Sequence, residues 1–159
     1  MITLIFASQV YDYVYNTAIY YGVNKARADF IAKTIESEYL KFPDVPYQIF
    51  TALIVSETGF KNIYGDNGKA VGYCQLHEVS VWYVINFYPD LRLKYTEIGA
   101  FENLIKYPKL QIILGYRYLH LILKYITNGN IIEALNYWNN SDTYYIRVLD
   151  VLLYIEAIQ

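Results

Sequence analysis

Glu57 is the residue whose neighbours best suit it to proton chemistry. The segment from Pro46 to Leu76, PYQIFTALIVSETGFKNIYGDNGKAVGYCQL, carries it at the end of an apolar helical stretch. The chain then turns at Gly59, crosses a polar Gly/Asp/Asn loop and reaches Gly72, Tyr73, Cys74 and Gln75. A carboxyl group donates a proton near neutral pH only when apolar surroundings raise its pKa. Leu53 and Ile54 one turn earlier, with Phe60 just after, offer such surroundings. The competing reading is a solvated glutamate at a helix end, the commoner fate of this residue type. Asp66, in the loop that follows, is the second carboxylate candidate: it either positions a water or simply shapes an Asp-Asn turn.

Other reactive side chains suggest less. Cys74 as a nucleophile would need a base, and only His77 and the remote His120 are available, so packing or groove lining is the better reading. His77-Glu78 lacks a second His four residues from the first, and no other run has metal-ligand spacing; neither metal nor cofactor is expected.

The order Glu57-Thr58-Gly59-Phe60, then Gly65-Asp66-Asn67-Gly68-Lys69-Ala70-Val71-Gly72-Tyr73-Cys74-Gln75, resembles the signature of the lysozyme-like transglycosylases. This is the family of soluble lytic transglycosylases and goose-type lysozymes. Its members read Glu-Ser-Gly-Phe, a polar loop, then Gly-Ala-x-Gly-Leu-Met-Gln. Glu57, Gly59, Phe60, Ala70, Gly72 and Gln75 match in register, whereas Thr58 stands for Ser, Tyr73 for Leu and Cys74 for Met. The Gly-Asp-Asn-Gly loop is similar to that of phage-type members. A second block, Gly115, Tyr118, Leu119, Gly129-Asn130 and Ala134-Leu135, falls where the family has Gly-x-x-Tyr-Leu, a Gly-Asn turn and Ala-Leu. Trp138-Asn139-Asn140-Ser141 then stands in place of Tyr-Asn-x-Gly, and Tyr144-Tyr145-Ile146 resembles the family's Tyr-Val step.

The resemblance, from Pro46 to Val148, implies a mainly α, lysozyme-like fold with a substrate groove and at most a short β-hairpin. It implies a peptidoglycan-cleaving enzyme with Glu57 as single acid/base. Glu57 would protonate the oxygen between N-acetylmuramic acid and N-acetylglucosamine, the muramoyl acetamido group would assist, and the 6-hydroxyl would then attack carbon 1 to leave a 1,6-anhydro end. Attack by water instead would make it a muramidase, with Asp66 the candidate to position that water. A third reading is an inactive glycan-binding or virion structural protein, supported by the changes at Tyr73, Cys74 and Trp138. Substrate contacts would fall to Asp66, Tyr73, Cys74, Gln75, Trp138, Asn139 and Tyr145. Trp138 is the sharpest departure, because an indole donates through its ring N–H and cannot accept as a tyrosine hydroxyl does; it either stacks on a sugar or packs in the core.

These residues need helices to position them. Ala7, Val10, Val14 and Ala18 recur at helical spacing and predict a helix from Ile2 to about Tyr21, stopped by Gly22. Asn24 caps a second helix carrying Ile31, Ile35 and Tyr39, and Pro46 opens a third that ends near Glu57. Leu76 to Phe87 and about Glu97 to Lys106 read as short helices, with a turn at Pro89 between them. The longest helix is expected from Lys109 to about Tyr125, followed by one from Ile131 to Trp138 and a last from Ser141 to Ile158. The expected organisation is one domain over residues 1–159, with an N-terminal helical part (1–42) and a transglycosylase-like part (46–148).

Composition bounds the alternatives. Of 159 residues 55% are apolar and 18% charged, enough to fill a core without disulfides, and Cys74, being alone, leaves the redox compartment open. A net charge of −2 and the lack of Lys/Arg clusters argue against nucleic acid as a partner. The 20 tyrosines suit the edge of a core and, in places, sugar-stacking surfaces. The short apolar start has no basic residue before it and is a weak secretion signal. No run approaches the roughly eighteen apolar residues of a membrane span. The family resemblance, not composition, implies the glycan strand of peptidoglycan as partner and the bacterial cell wall as the place of action, reached by secretion, in the periplasm or by phage or virion delivery; the default state is a monomer.

Overall fold

Apolar residues at helical spacing, punctuated by Gly, Asn and Pro, set the order of elements. The computed structural model describes residues 2–159, with side chains from residue 8 onward, so Ala7 of the first predicted stripe lies outside the described side chains. The chain is mainly helical with a small three-stranded antiparallel sheet. Helix α1 (Ile2–Tyr20) buries Val10, Val14 and Ala18 against α2 (Lys25–Tyr39). The Asn24 side chain caps α2, its oxygen accepting the Arg27 N–H at 3.0 Å.

Helix α3 (Tyr47–Thr58) begins after Pro46 and ends at Gly59, which takes the left-handed conformation. Phe50, Thr51, Ala52, Leu53 and Ile54 are each 0% exposed, so α3 is enclosed on all sides and not on one face alone. At about 1.5–3 kcal/mol for each large apolar side chain, this helix is the main anchor of the core. Its site-bearing end is therefore held from behind.

Three two-residue strands follow, β1 (Tyr64–Gly65), β2 (Ala70–Val71) and β3 (Leu76–His77), paired antiparallel in chain order. A 3₁₀ turn over Asp66–Gly68 joins the first two. Two predicted boundaries are corrected here. Leu76 and His77 pair with β2 and so do not start a helix; α4 begins at Glu78 and runs to Phe87. Pro89 opens α5 (Pro89–Ile98), because its missing N–H is harmless in a first turn, and the predicted Glu97–Lys106 helix is instead a 3₁₀ segment over Phe101–Lys106.

Helix α6 (Pro108–Leu121) lies beside α2 and α4 and passes into a π-helical turn over Ile122–Ile126, marked by the Thr127 N–H donating to the Ile122 carbonyl at 2.9 Å. Helix α7 (Ile131–Asn139) and helix α8 (Tyr144–Ile158) close the chain, the latter starting three residues later than predicted. Phe50 and Tyr116 pack edge-to-face at 4.8 Å, and the Tyr116 hydroxyl donates to the Val45 carbonyl at 2.8 Å, joining α6 to the entry of α3. Buried Arg117 donates to Glu38 at 2.8 Å and to Asp90 at 3.1 and 3.2 Å, which links α2, α5 and α6. Among the described residues, no helix is long and apolar enough to cross a membrane.

Candidate active site

The last turn of α3 delivers Glu57 to the floor of a cleft of about 700 Å³. Asp66, Gln75 and His77 from the sheet region, Ser80 from α4, Tyr118 from α6, and Tyr137, Trp138 and Asn139 from α7 line the same cleft. Five of the eight residues singled out from sequence thus share one cavity: Glu57, Asp66, Gln75, Trp138 and Asn139. The other three do not face it.

Tyr73 is 2% exposed and Cys74 0% exposed, so both lie beneath the cleft floor, and the expectation that they contact substrate is corrected. The cause for Cys74 is Gly115 of α6: a Cβ at that position would stand 2.7 Å from the Cys74 sulfur, so the thiol fills the notch that the glycine leaves. Burial, together with the nearby Glu57 charge, raises the Cys74 pKa well above the usual thiol range, which makes it inert. Tyr145 is also displaced from the site: it packs against the core while its N–H donates to the Asn136 side chain at 3.2 Å.

The residue one position earlier takes that place. Tyr144, the first residue of α8, is 6% exposed and donates its hydroxyl hydrogen bond to Glu57 Oε1. Arg147, one turn further along α8, donates to the Ser56 carbonyl and so occupies the carbonyl end of α3 next to the carboxyl group. The sequence does contain a signal for this register. Tyr144, Val148 and Ile155 form the buried stripe of α8, and a helix begun at Tyr144 turns that stripe inward.

Opposing influences set the Glu57 protonation state. Burial raises its pKa, while the hydrogen bond from Tyr144, the positive charge of Arg147, the Trp138 side chain and His77 lower it. Burial prevails, and the group titrates above the ordinary glutamate range. Its position explains the balance in part: the carbonyl end of α3 disfavours an anion, whereas the start of α8 favours one.

The sheet forms the opposite wall, and buried side chains fix its shape. Gly72 has φ +82°, and a Cβ there would lie 2.0 Å from the Gln111 side-chain oxygen. Gln111, 0% exposed on α6, accepts from the Tyr73 N–H at 3.2 Å and donates to the Leu104 carbonyl at 2.8 Å, so only glycine admits this strut. Gln75 donates to the Gly72 carbonyl at 2.8 Å and to the Ile63 carbonyl at 3.2 Å, which makes it a brace of the loop as well as a lining residue. Thr58 next to Glu57 donates to the Tyr73 carbonyl at 2.9 Å, fastening the acid-bearing turn to the floor. Asp66 faces His77 at 3.9 Å with both side chains about half exposed. Trp138 lies against Tyr118 with ring centroids 5.1 Å apart.

Among the described residues, no three His, Cys, Asp or Glu side chains gather as a metal site. Comparison with protein-family models, with curated proteins and with solved structures finds no match.

Proposed function

We propose that this chain is a peptidoglycan-cleaving lytic transglycosylase with a lysozyme-like fold. It would cut the bond between N-acetylmuramic acid and N-acetylglucosamine with Glu57 as its single acid/base. The observation that carries the reading is the Glu57 carboxyl: desolvated, titrating above its ordinary range, and opening on a cleft with an indole on one wall and a polar loop on the other. A raised carboxyl pKa suits a general acid that must hold its proton until the leaving oxygen needs it. Tyr144 and Arg147 then stabilise the carboxylate that remains, and it serves as base when the muramoyl 6-hydroxyl attacks carbon 1. The 1,6-anhydro product follows without a second carboxylate.

Asp66 favours a second reading, because it lines the same cleft and is half exposed. If it positions a water, the same bond is hydrolysed as in a muramidase. Digestion of purified sacculi by the wild-type protein and by Glu57→Gln, read by mass spectrometry, distinguishes these outcomes. Anhydro ends from the wild type and none from Glu57→Gln support the transglycosylase. Reducing ends support the muramidase. Intact sacculi that nevertheless bind the protein point to a non-catalytic glycan binder.

A further inference from the structure

The end of α5 and the first turns of α6 enclose a second concavity, of about 450 Å³, built from residues that take no part in the Glu57 cleft. The buried side chains of Ile98, Leu110 and Ile113 form its floor. Leu110 and Ile113 stand about one turn apart on α6 and so share a face. Lys94, Lys106 and Lys109 also line it, against a single carboxylate, Glu97. Among the described residues, Lys106 donates only to the Asn103 side chain, at 3.1 Å, and neither Lys94 nor Lys109 has a hydrogen-bond or ion-pair partner. An adjoining hollow of about 410 Å³ shares Lys94, Lys109 and Ile113 and extends the groove toward α2. Its carboxylates are already matched: Asp29 by Lys33, Glu38 by Lys41 and Arg117, and Asp90 by Arg117.

The lining narrows the occupant. Three ammonium groups against one carboxylate make the groove cationic on a chain whose net charge is −2, so the excess is local. The floor is aliphatic, and Tyr107 is the one aromatic ring in the lining, so the groove offers no stacking platform for bases or for successive sugar rings. A mostly apolar concavity of several hundred Å³ with a few placed charges is the form of a small-molecule site. We propose that this groove binds an anionic amphiphile, its acidic head held by Lys94 and Lys109 and its alkyl chain laid over Ile98, Leu110 and Ile113. A free acid and a phospholipid present the same chemistry to it. The site is independent of the peptidoglycan reading, because it shares no residue with the cleft.

The probe is dodecyl phosphate, kept below its micelle concentration and added to the wild-type chain, with calorimetry for affinity and isoleucine methyl NMR for location. It should bind and shift the Ile98 and Ile113 methyl signals. Inorganic phosphate and the uncharged dodecyl maltoside each carry half of the recognised chemistry and should bind at least about tenfold more weakly. Shortening the alkyl chain should weaken binding by up to about fourfold per methylene. Lys94→Gln combined with Lys109→Gln, both at exposed positions, should weaken it about tenfold with the helical circular dichroism unchanged. Sedimentation with phosphatidylcholine vesicles containing phosphatidylglycerol identifies the source. Co-sedimentation that the double variant loses assigns the head to a phospholipid, and dodecyl phosphate binding without co-sedimentation assigns it to a free acid. The site is overturned if dodecyl phosphate does not bind, or if it shifts other methyl signals and leaves Ile98 and Ile113 unmoved. It is also overturned if the double variant binds as the wild type does, or if inorganic phosphate binds as tightly, which would mean an adventitious ion only.

Discussion

Tyr144→Phe isolates the hydrogen bond that the structure places on the acid. The substitution keeps the ring, which is 6% exposed, and removes only the hydroxyl that donates to Glu57. A hydrogen bond to a charged group contributes about 1.5–3 kcal/mol, and the desolvated site puts this one toward the upper part of that range. The loss falls on the ionised carboxyl, so the Glu57 pKa should rise further above the glutamate range. Two readouts follow. The basic limb of the pH–rate profile on sacculi, which marks loss of the Glu57 proton, should move to higher pH. The melting temperature should fall at pH values above the one at which folded Glu57 loses its proton, by about 2–4 °C per kcal/mol for a chain of this size, and fall much less at pH 4, where the carboxyl is protonated with or without its partner. An equal loss of melting temperature at both pH values would mean that the hydroxyl serves packing alone. A basic limb that stays in place or moves to lower pH would refute the account of how Glu57 is tuned.

Three further outcomes are expected. Because the folded pKa of Glu57 is raised, its contribution to stability is complete below the ordinary glutamate range and is lost as pH rises through the folded value. Glu57→Gln should therefore melt higher than wild type above the pH at which folded Glu57 ionises, with the advantage vanishing in acid; a lower melting temperature there would contradict the desolvation argument. Cys74, fully buried, should resist iodoacetamide in the native protein and react only on unfolding, as a mass shift of the intact chain would record. Gly72→Ala should cost about 2 kcal/mol or more in a urea titration, since it meets both a positive φ and the Gln111 strut.

Much of the fold was legible because its signals are local. Asn24, Pro46 and Gly59 act within a turn of their own positions, and the structure uses each of them as a helix boundary. The carboxyl, the loop and Gln75 are likewise close in sequence, so their common cleft could be anticipated from one segment. The misplaced residues depend on distant partners. Cys74 is drawn under the floor by Gly115 on another helix, and no local pattern reports that notch. Tyr144 and Tyr145 are chemically identical neighbours, and choosing between them required the start of α8, which the sequence puts near Ser141 and which in fact follows Thr143. The strands are two residues long, too short to show a period, and Leu76-His77 therefore read as part of a helix.

The π-helical turn after α6 has a consequence for how this chain tolerates changes in length. A turn closed by a hydrogen bond from Thr127 back to Ile122 holds one residue more than an α-turn, and it ends the rod, since Asn128 and Gly129 follow with positive φ. Deleting a residue there would restore regular winding and turn the chain beyond it by roughly one helical step, about 100°. Everything that reaches the cleft from downstream, the indole on α7 and the phenol that meets the acid, takes its bearing from that single additional residue. The turn is thus an angular adjustment by which the last fifth of the chain is aimed at the helix that bears the acid.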